Sequence, residues 1–137
     1  MYSTKLSVSI HILSVITLME EPTITSDYIA SSINTNPALV RRLMSRLKKA
    51  KLIKTSTKLG VTGLARKAED ITVLDVFQAV EDHSDLFSIH SNTNLDCPVG
   101  AKIEGILKNL FDNIQKATEE KLSAITLADI TKEFINS

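Results

Sequence analysis

The tightest constraint in this sequence is the stretch "SSINTNPALVRRLMSRL", where an Asn-Thr-Asn turn and a proline separate two segments with helical apolar spacing. Asn tolerates the left-handed backbone that a tight turn between helices demands, so Asn34 can end the first helix. Asn36 then offers a side-chain acceptor to free amides, and Pro37 suits the first position of a second helix. Upstream, Thr25, Ser26 and Asp27 can cap a short helix reaching Ile33, with Ile29, Ala30 and Ile33 inward. Downstream, residues 37–50 put Val40, Leu43, Met44 and Leu47 on one face and Arg41, Arg42, Ser45, Arg46, Lys48 and Lys49 on the others. A small residue at Ala30, a turn residue at Asn34 and apolar residues at Val40 and Leu43 fill, in order, the roles that close a helix-turn-helix.

Charge says what such a unit would meet. The chain holds 16 Lys or Arg and 16 Asp or Glu, yet no acid falls between Asp27 and Glu69, and ten of the basic residues lie between Arg41 and Lys67. Each phosphate neutralised by a cation releases condensed counterion, and an acid-free surface adds those contributions without repulsion, so double-stranded DNA is the expected partner. After the second helix, residues 52–56 and 61–66 read as two short strands joined around Lys58 and Gly60, a basic wing with Gly63 allowing a bend. The N-terminal end of a recognition helix enters the major groove. Arg41 and Arg42 are therefore expected at base edges or phosphates, with Thr35 and Asn36 close by. Arg46, Lys48 and Lys49 are expected at phosphates, and Lys54, Lys58, Arg66 and Lys67 on the wing. The competing reading is a solvated charged face on a regulatory module that binds another protein and has little DNA affinity of its own.

The remaining segments supply a scaffold. Leu, Ile and Val dominate the apolar content, with no Trp, two Tyr and four Phe, which favours helices. Residues 6–19 are apolar and follow Lys5, but Ser7, Ser9, His11, Ser14 and Thr17 interrupt them and Glu20 and Glu21 follow, so the run is too short and polar to span a membrane. It reads as a buried helix capped by Ser3 or Thr4, in which Leu6, Ile10, Leu13, Val15, Ile16 and Met19 recur at helical spacing, ending before Pro22. Thr72 with Asp75 and Thr126 with Asp129 form capping boxes; Ile71 and Val76 occupy staple positions before a helix carrying Leu74, Phe77 and Val80. Residues 83–97 turn polar and aperiodic. From Pro98 to about residue 122 a long helix repeats Val99, Ile103, Ile106, Leu107, Leu110, Phe111, Ile114 and Ala117, with little chain left to cover it. Pairing with a second copy through Ile103, Ile106, Leu107, Leu110, Phe111 and Ile114 is expected.

The expected class is mainly α with a small two-stranded wing (α+β): a winged helix-turn-helix over residues 1–82, a loop or hinge over 83–97, and a dimerisation helix with a terminal helix over 98–137. Cys97 is the only cysteine, which excludes an internal disulfide framework and an all-cysteine metal site, and fits the reducing cytoplasm. Standing before Pro98 at a helix start, its thiol pKa is expected to fall, against the pull of Asp96, making it a candidate redox sensor; passive capping is the plainer alternative. His11 reads as a core or interface histidine. His83 and His90, with Asp82, Asp85 and Asp96, match no zinc or iron spacing, so no metal or cofactor is expected. No nucleophile with a base and oxyanion partner is evident, nor a glycine-rich phosphate loop, which argues against an enzyme.

The blocks "KLSVSIHILSVITLM", "TSDYIASSINTNPALVRRLMSRLKKAKLI", "AEDITVLDVFQAVED" and "CPVGAKIEGIL", in that order, resemble the Rrf-two type family of bacterial transcriptional regulators, which includes iron-sulfur cluster and cysteine-metabolism regulators. The resemblance covers nearly the whole chain. It implies a homodimeric winged-helix regulator, usually a repressor, whose long C-terminal helices pair and whose recognition helices read a near-palindromic operator. A small molecule, a redox signal or a protein would be its effector. Cluster-binding members carry three cysteines in the region equivalent to residues 83–99, where this chain has only Cys97, so the resemblance implies no cluster here. The segment "TSTKLGVTGLARKAED" is shorter and less glycine-rich than the family's usual wing.

Overall fold

In the computed structural model, residues 3–19, 24–56, 60–83 and 85–136 are described; the expectations placed on Glu20, Glu21, Pro22 and Lys58 lie outside them. Helix α1 spans Lys5–Leu18, α2 Ser26–Ile33 and α3 Pro37–Lys49. Strands β1 (Ile53–Ser56) and β2 (Gly60–Leu64) follow, then a 3₁₀ turn at Ala68–Asp70, α4 (Val73–Val80), α5 (Ile103–Ser123) and α6 (Leu127–Asn136).

The turn between α2 and α3 forms as its residues dictate. Thr25 Oγ1 accepts the Tyr28 amide at 3.1 Å to open α2, and Asn34 ends it at φ 66° in the left-handed region. Asn36 Oδ1 accepts the Ala38 amide at 2.7 Å, and Pro37 begins α3. Ile29 and Ala30 of α2 and Val40, Leu43, Met44 and Leu47 of α3 are all buried in one core with Ile12, Leu13 and Ile16 of α1. Each such aliphatic residue contributes roughly 1.5–3 kcal/mol on full burial. Helix α3 closes with a Schellman motif: Leu52 N donates to Leu47 O and Lys51 N to Lys48 O, both at 2.9 Å, with Lys51 left-handed at φ 63°. Leu47 and Leu52 are both fully buried, so this apolar contact aims the chain into β1.

β1 and β2 pair antiparallel, Ile53 opposite Leu64 and Ser56 opposite Gly60, with a bulge between Lys54 and Thr55. Ile24 bridges the other edge of β2 at Val61 and adds a minimal third strand. Gly60 sits at φ 84°, where a Cβ would stand 3.2 Å from the Ile24 carbonyl. The second strand stops at Leu64, short of the expected Arg66, although the Ala65 amide still donates to the Leu52 carbonyl at 2.9 Å in the register of the Ile53–Leu64 pair.

In α1 the buried residues are Ser9, Ile12, Leu13, Ser14 and Ile16; Leu6, Ile10 and Val15 are half-buried and Met19 is exposed. This helix touches α2, α3, α4, α6 and β2, so it has no single inward stripe, and small serines permit close approach. The long helix begins at Ile103 rather than Pro98. Gly100 lies so close to Asn94 that a Cβ would meet its carbonyl oxygen at 2.2 Å, and its own carbonyl accepts the Thr93 hydroxyl, so residues 95–102 form successive turns instead. The terminal helix, expected alongside the long helix, packs against α1 and the 3₁₀ turn. Val73 N donates to Ile125 O at 2.8 Å, Leu127 N to Ile71 O at 2.7 Å, and Leu127 enters the common core.

Both capping boxes form. Thr72 Oγ1 accepts the Asp75 amide at 3.0 Å while Asp75 Oδ2 accepts the Thr72 amide at 2.9 Å, and Thr126 and Asp129 repeat the exchange at 3.0 Å each way. Because the two boxes flank the Thr72–Thr126 bridge, Thr72→Ala and Thr126→Ala should each cost about 1 kcal/mol of unfolding free energy in urea titration. Unchanged midpoints would contradict this.

Candidate nucleic-acid interface

The buried face of α3 fixes where its cations point. With successive residues about 100° apart, Arg41 and Lys48 share one flank, Arg42 and Lys49 the outer surface, and Arg46 the other flank. Arg41, Arg42, Lys48 and Lys49 are all exposed. Ser26 of α2, Arg41, Ser45 and Lys48 of α3, Thr55 of β1 and Gly60 of β2 line a shallow cleft of about 340 Å³. Recognition helix, wing and the positive end of α2 therefore converge, and a helix N-terminus adds its dipole to the two cations. Thr35 and Asn36 lie in the turn before α3, half-buried and exposed, with the Asn36 carboxamide oxygen committed to its cap. Lys54 and Lys67 are exposed.

Two arginines in the expected set have partners within the chain. Arg46 Nη1 donates to the Val80 carbonyl at 2.8 Å and stands 2.7 Å from Asp82 Oδ1. Asp82 Oδ2 also accepts from Lys5 Nζ. The hydrogen bond from Lys5, then that from Arg46, holds the Asp82 carboxyl below its ordinary value. Arg66 is exposed but lies along its own chain, with Nη1 3.4 Å from Asp75 Oδ2 and Nη2 3.4 Å from the Ala50 carbonyl. Charge counting misses this, because both depend on acids and carbonyls distant in sequence. Ser26, Ser45 and Thr55 were absent from the expected set. Ser45 was legible at one turn from Arg41 and Lys48; the other two enter only through the fold.

The long helix α5 contains no buried residue. Its apolar positions divide into two flanks. Ile103, Leu107 and Phe111 are half-buried, and the Phe111 ring stands 5.2 Å from that of Phe87 in the preceding segment. Gln115 Oε1 accepts the Leu86 amide at 2.9 Å, which fastens the same flank to its own chain. Ile106, Leu110 and Ile114 are 59%, 49% and 37% exposed and form the open flank.

Cys97 is exposed and lies six residues before α5 begins. Its thiol pKa is lowered by the backbone amide of Gly100 and then by that of Val99, a cause local to the turn rather than the α5 dipole anticipated from sequence. His11 is half-buried with Nε2 3.0 Å from Ser32 Oγ. His83 and His90 are exposed, and among the described residues no three His, Cys, Asp or Glu side chains converge as a metal site. No helix among the described residues is long and apolar enough to cross a membrane.

A basic helix-turn-helix joined to a two-stranded wing, followed by a long helix with an open apolar flank, defines the winged-helix regulators. The chain belongs to the Rrf2 family: the model of that family, described as an iron-dependent transcriptional regulator, matches residues 2–133. YwnA of Bacillus subtilis (strain 168), which bears the name of an HTH-type transcriptional regulator, is 43% identical over 132 residues, covering 95% of this chain and 96% of YwnA. A crystal structure designated as that of a DNA-binding protein is 38% identical, with a TM-score of 0.75, over 92% of this chain and 97% of the other. CymR, the global cysteine regulator of B. subtilis, shares the fold at 21% identity and a TM-score of 0.71, over 96% of each chain. The protein is thus a transcriptional regulator of the Rrf2 family and not an enzyme.

The iron in the family's description does not fit this chain's donors. Iron-sulfur clusters are held chiefly by several thiolates, whereas the sequence has one cysteine, with no imidazole or carboxylate set converging beside it among the described residues. The amides that hold the Cys97 thiol pKa down require the folded turn. At neutral pH iodoacetamide should therefore alkylate Cys97 faster in the native protein than in urea, and equal rates would contradict the assignment.

Proposed function

We propose that the protein is a sequence-specific repressor acting in the cytoplasm, bound as a homodimer to a near-palindromic operator. The observation that carries the reading is the convergence of Arg41 and Lys48 with Ser26, Thr55 and Gly60 around one cleft, built largely from a stretch with no acid between Asp27 and Glu69. Arg41, Arg42, Lys48 and Lys49 would run along the duplex. Thr35 and Asn36 would approach its backbone at the start of α3, and Lys54 and Lys67 would add further phosphate contacts, with Lys58 expected from sequence to act likewise. The open flank of α5 would pair Ile106, Leu110 and Ile114 with a second copy. Two-fold pairing repeats the recognition helix and doubles the cationic footprint.

A gel shift with genomic fragments at two salt concentrations tests this. Specific complexes of about 10⁻⁸ to 10⁻¹¹ M that weaken steeply with salt are expected. Weak, salt-insensitive binding would favour the protein-interaction module instead. Arg41→Ala and Arg42→Ala should each lose roughly 1–3 kcal/mol at particular base pairs, whereas Lys49→Ala should weaken cognate and random duplex alike. Equal losses for all three on both duplexes would refute this division. In sedimentation the native protein should be dimeric at micromolar concentration, and Leu110→Glu should shift it to monomer; a native monomer would remove the dimer.

A further inference from the structure

Arg46 sits in the last turn of α3, about 140° around the helix from Arg41, and faces away from the cleft. What it faces is the end of α4. Val80 is the last residue of that helix, so its carbonyl lacks an intrahelical partner, and the Arg46 guanidinium supplies one at 2.8 Å. The same nitrogen stands 2.7 Å from Asp82, two residues beyond the helix, and Asp82 in turn holds Lys5, the first residue of α1. Three helix ends therefore meet at one carboxylate. The chain runs directly from it into residues 85–102, which lead to α5.

Resting on the DNA-binding reading above, we propose that Arg46 is a positioning residue: through Val80 and Asp82 it fixes the angle of α3 against α1 and α4, and so sets discrimination between operator and other DNA rather than neutralising a phosphate. A cation held by a carboxylate is already neutralised and contributes little to counterion release. A guanidinium that closes another helix's C-terminal carbonyl, by contrast, restrains rotation of its own helix. The segment most directly coupled to α3 is then the one that begins at Asp82.

The two roles predict opposite results for Asp82→Asn, which removes the ion pair while leaving the Val80 carbonyl and the charge of Arg46 in place. As a positioning residue, Arg46 needs its anchor. Asp82→Asn and Arg46→Met should each lower the ratio of operator to random-duplex affinity about tenfold, with no further fall in the double variant, and Arg46→Met should leave the salt slope on random duplex unchanged. If Arg46 instead contacts phosphate, Asp82→Asn should raise affinity for both duplexes equally and Arg46→Met should reduce the salt slope by about one unit, which would overturn the proposal. Circular dichroism checks that each variant folds, and Asp82→Asn carries the test should Arg46→Met fail to. Amide hydrogen exchange without DNA separates this from failure of the DNA-binding reading. Residues 85–90 should exchange faster in both variants but not in Lys49→Met, and unchanged exchange would overturn the tie itself. Faster exchange in a native protein that binds no duplex would support the tie and overturn its role in operator discrimination.

Discussion

The packing of α3 against α2 is the contact on which the rest depends. Ala30 is small enough for the second helix to approach, Asn34 turns the chain in the left-handed region, and Val40, Leu43 and Leu47 lock the phase of α3 against the core. Once those apolar residues are buried, every cation on the helix has a direction. A rotation of one residue would move Arg41 and Lys48 off the cleft and expose Leu43 or Leu47. Charge presentation is in this sense a consequence of core packing, and the hydrophobic face guards the cationic one.

The C-terminal third serves two ends. Thr126 and Leu127 return to the strand-like segment at residues 71–73, so α6 closes the first domain over α1. Between α4 and α6 the chain projects α5, held along one flank by Phe87 and Leu86 and open along the other. A helix fastened on one side presents a fixed apolar surface, which suits symmetric pairing better than a helix free to turn. The Asp82 junction lies where these two parts of the molecule meet.

Local signals were legible wherever a short stretch decides its own conformation. Asn36-Pro37, Thr72 with Asp75, Thr126 with Asp129, and the inner face of α3 all read correctly because the partners lie within four residues. Elements decided by distant chain did not. Pro98 looked like a helix start, yet Gly100 pressed against Asn94 postponed the helix to Ile103. The apolar spacing of α1 marked a buried helix but no single face, because five elements surround it. Arg46 and Arg66 carry the charge expected of a DNA surface, but Asp82, Val80, Asp75 and Ala50 also partner them, and no local periodicity announces such partners. The family likeness supplied what periodicity lacked, namely the order of the blocks along nearly the whole chain.

The most direct test of a shared DNA-facing surface is a titration of the isotope-labelled protein with operator duplex, followed by amide chemical shifts at low and moderate salt. The account predicts perturbations concentrated at the start of α2, along the outer residues of α3 and at β1 and β2, fading as salt rises. Perturbations confined to α5 and α6, or spread evenly over the chain, would contradict it.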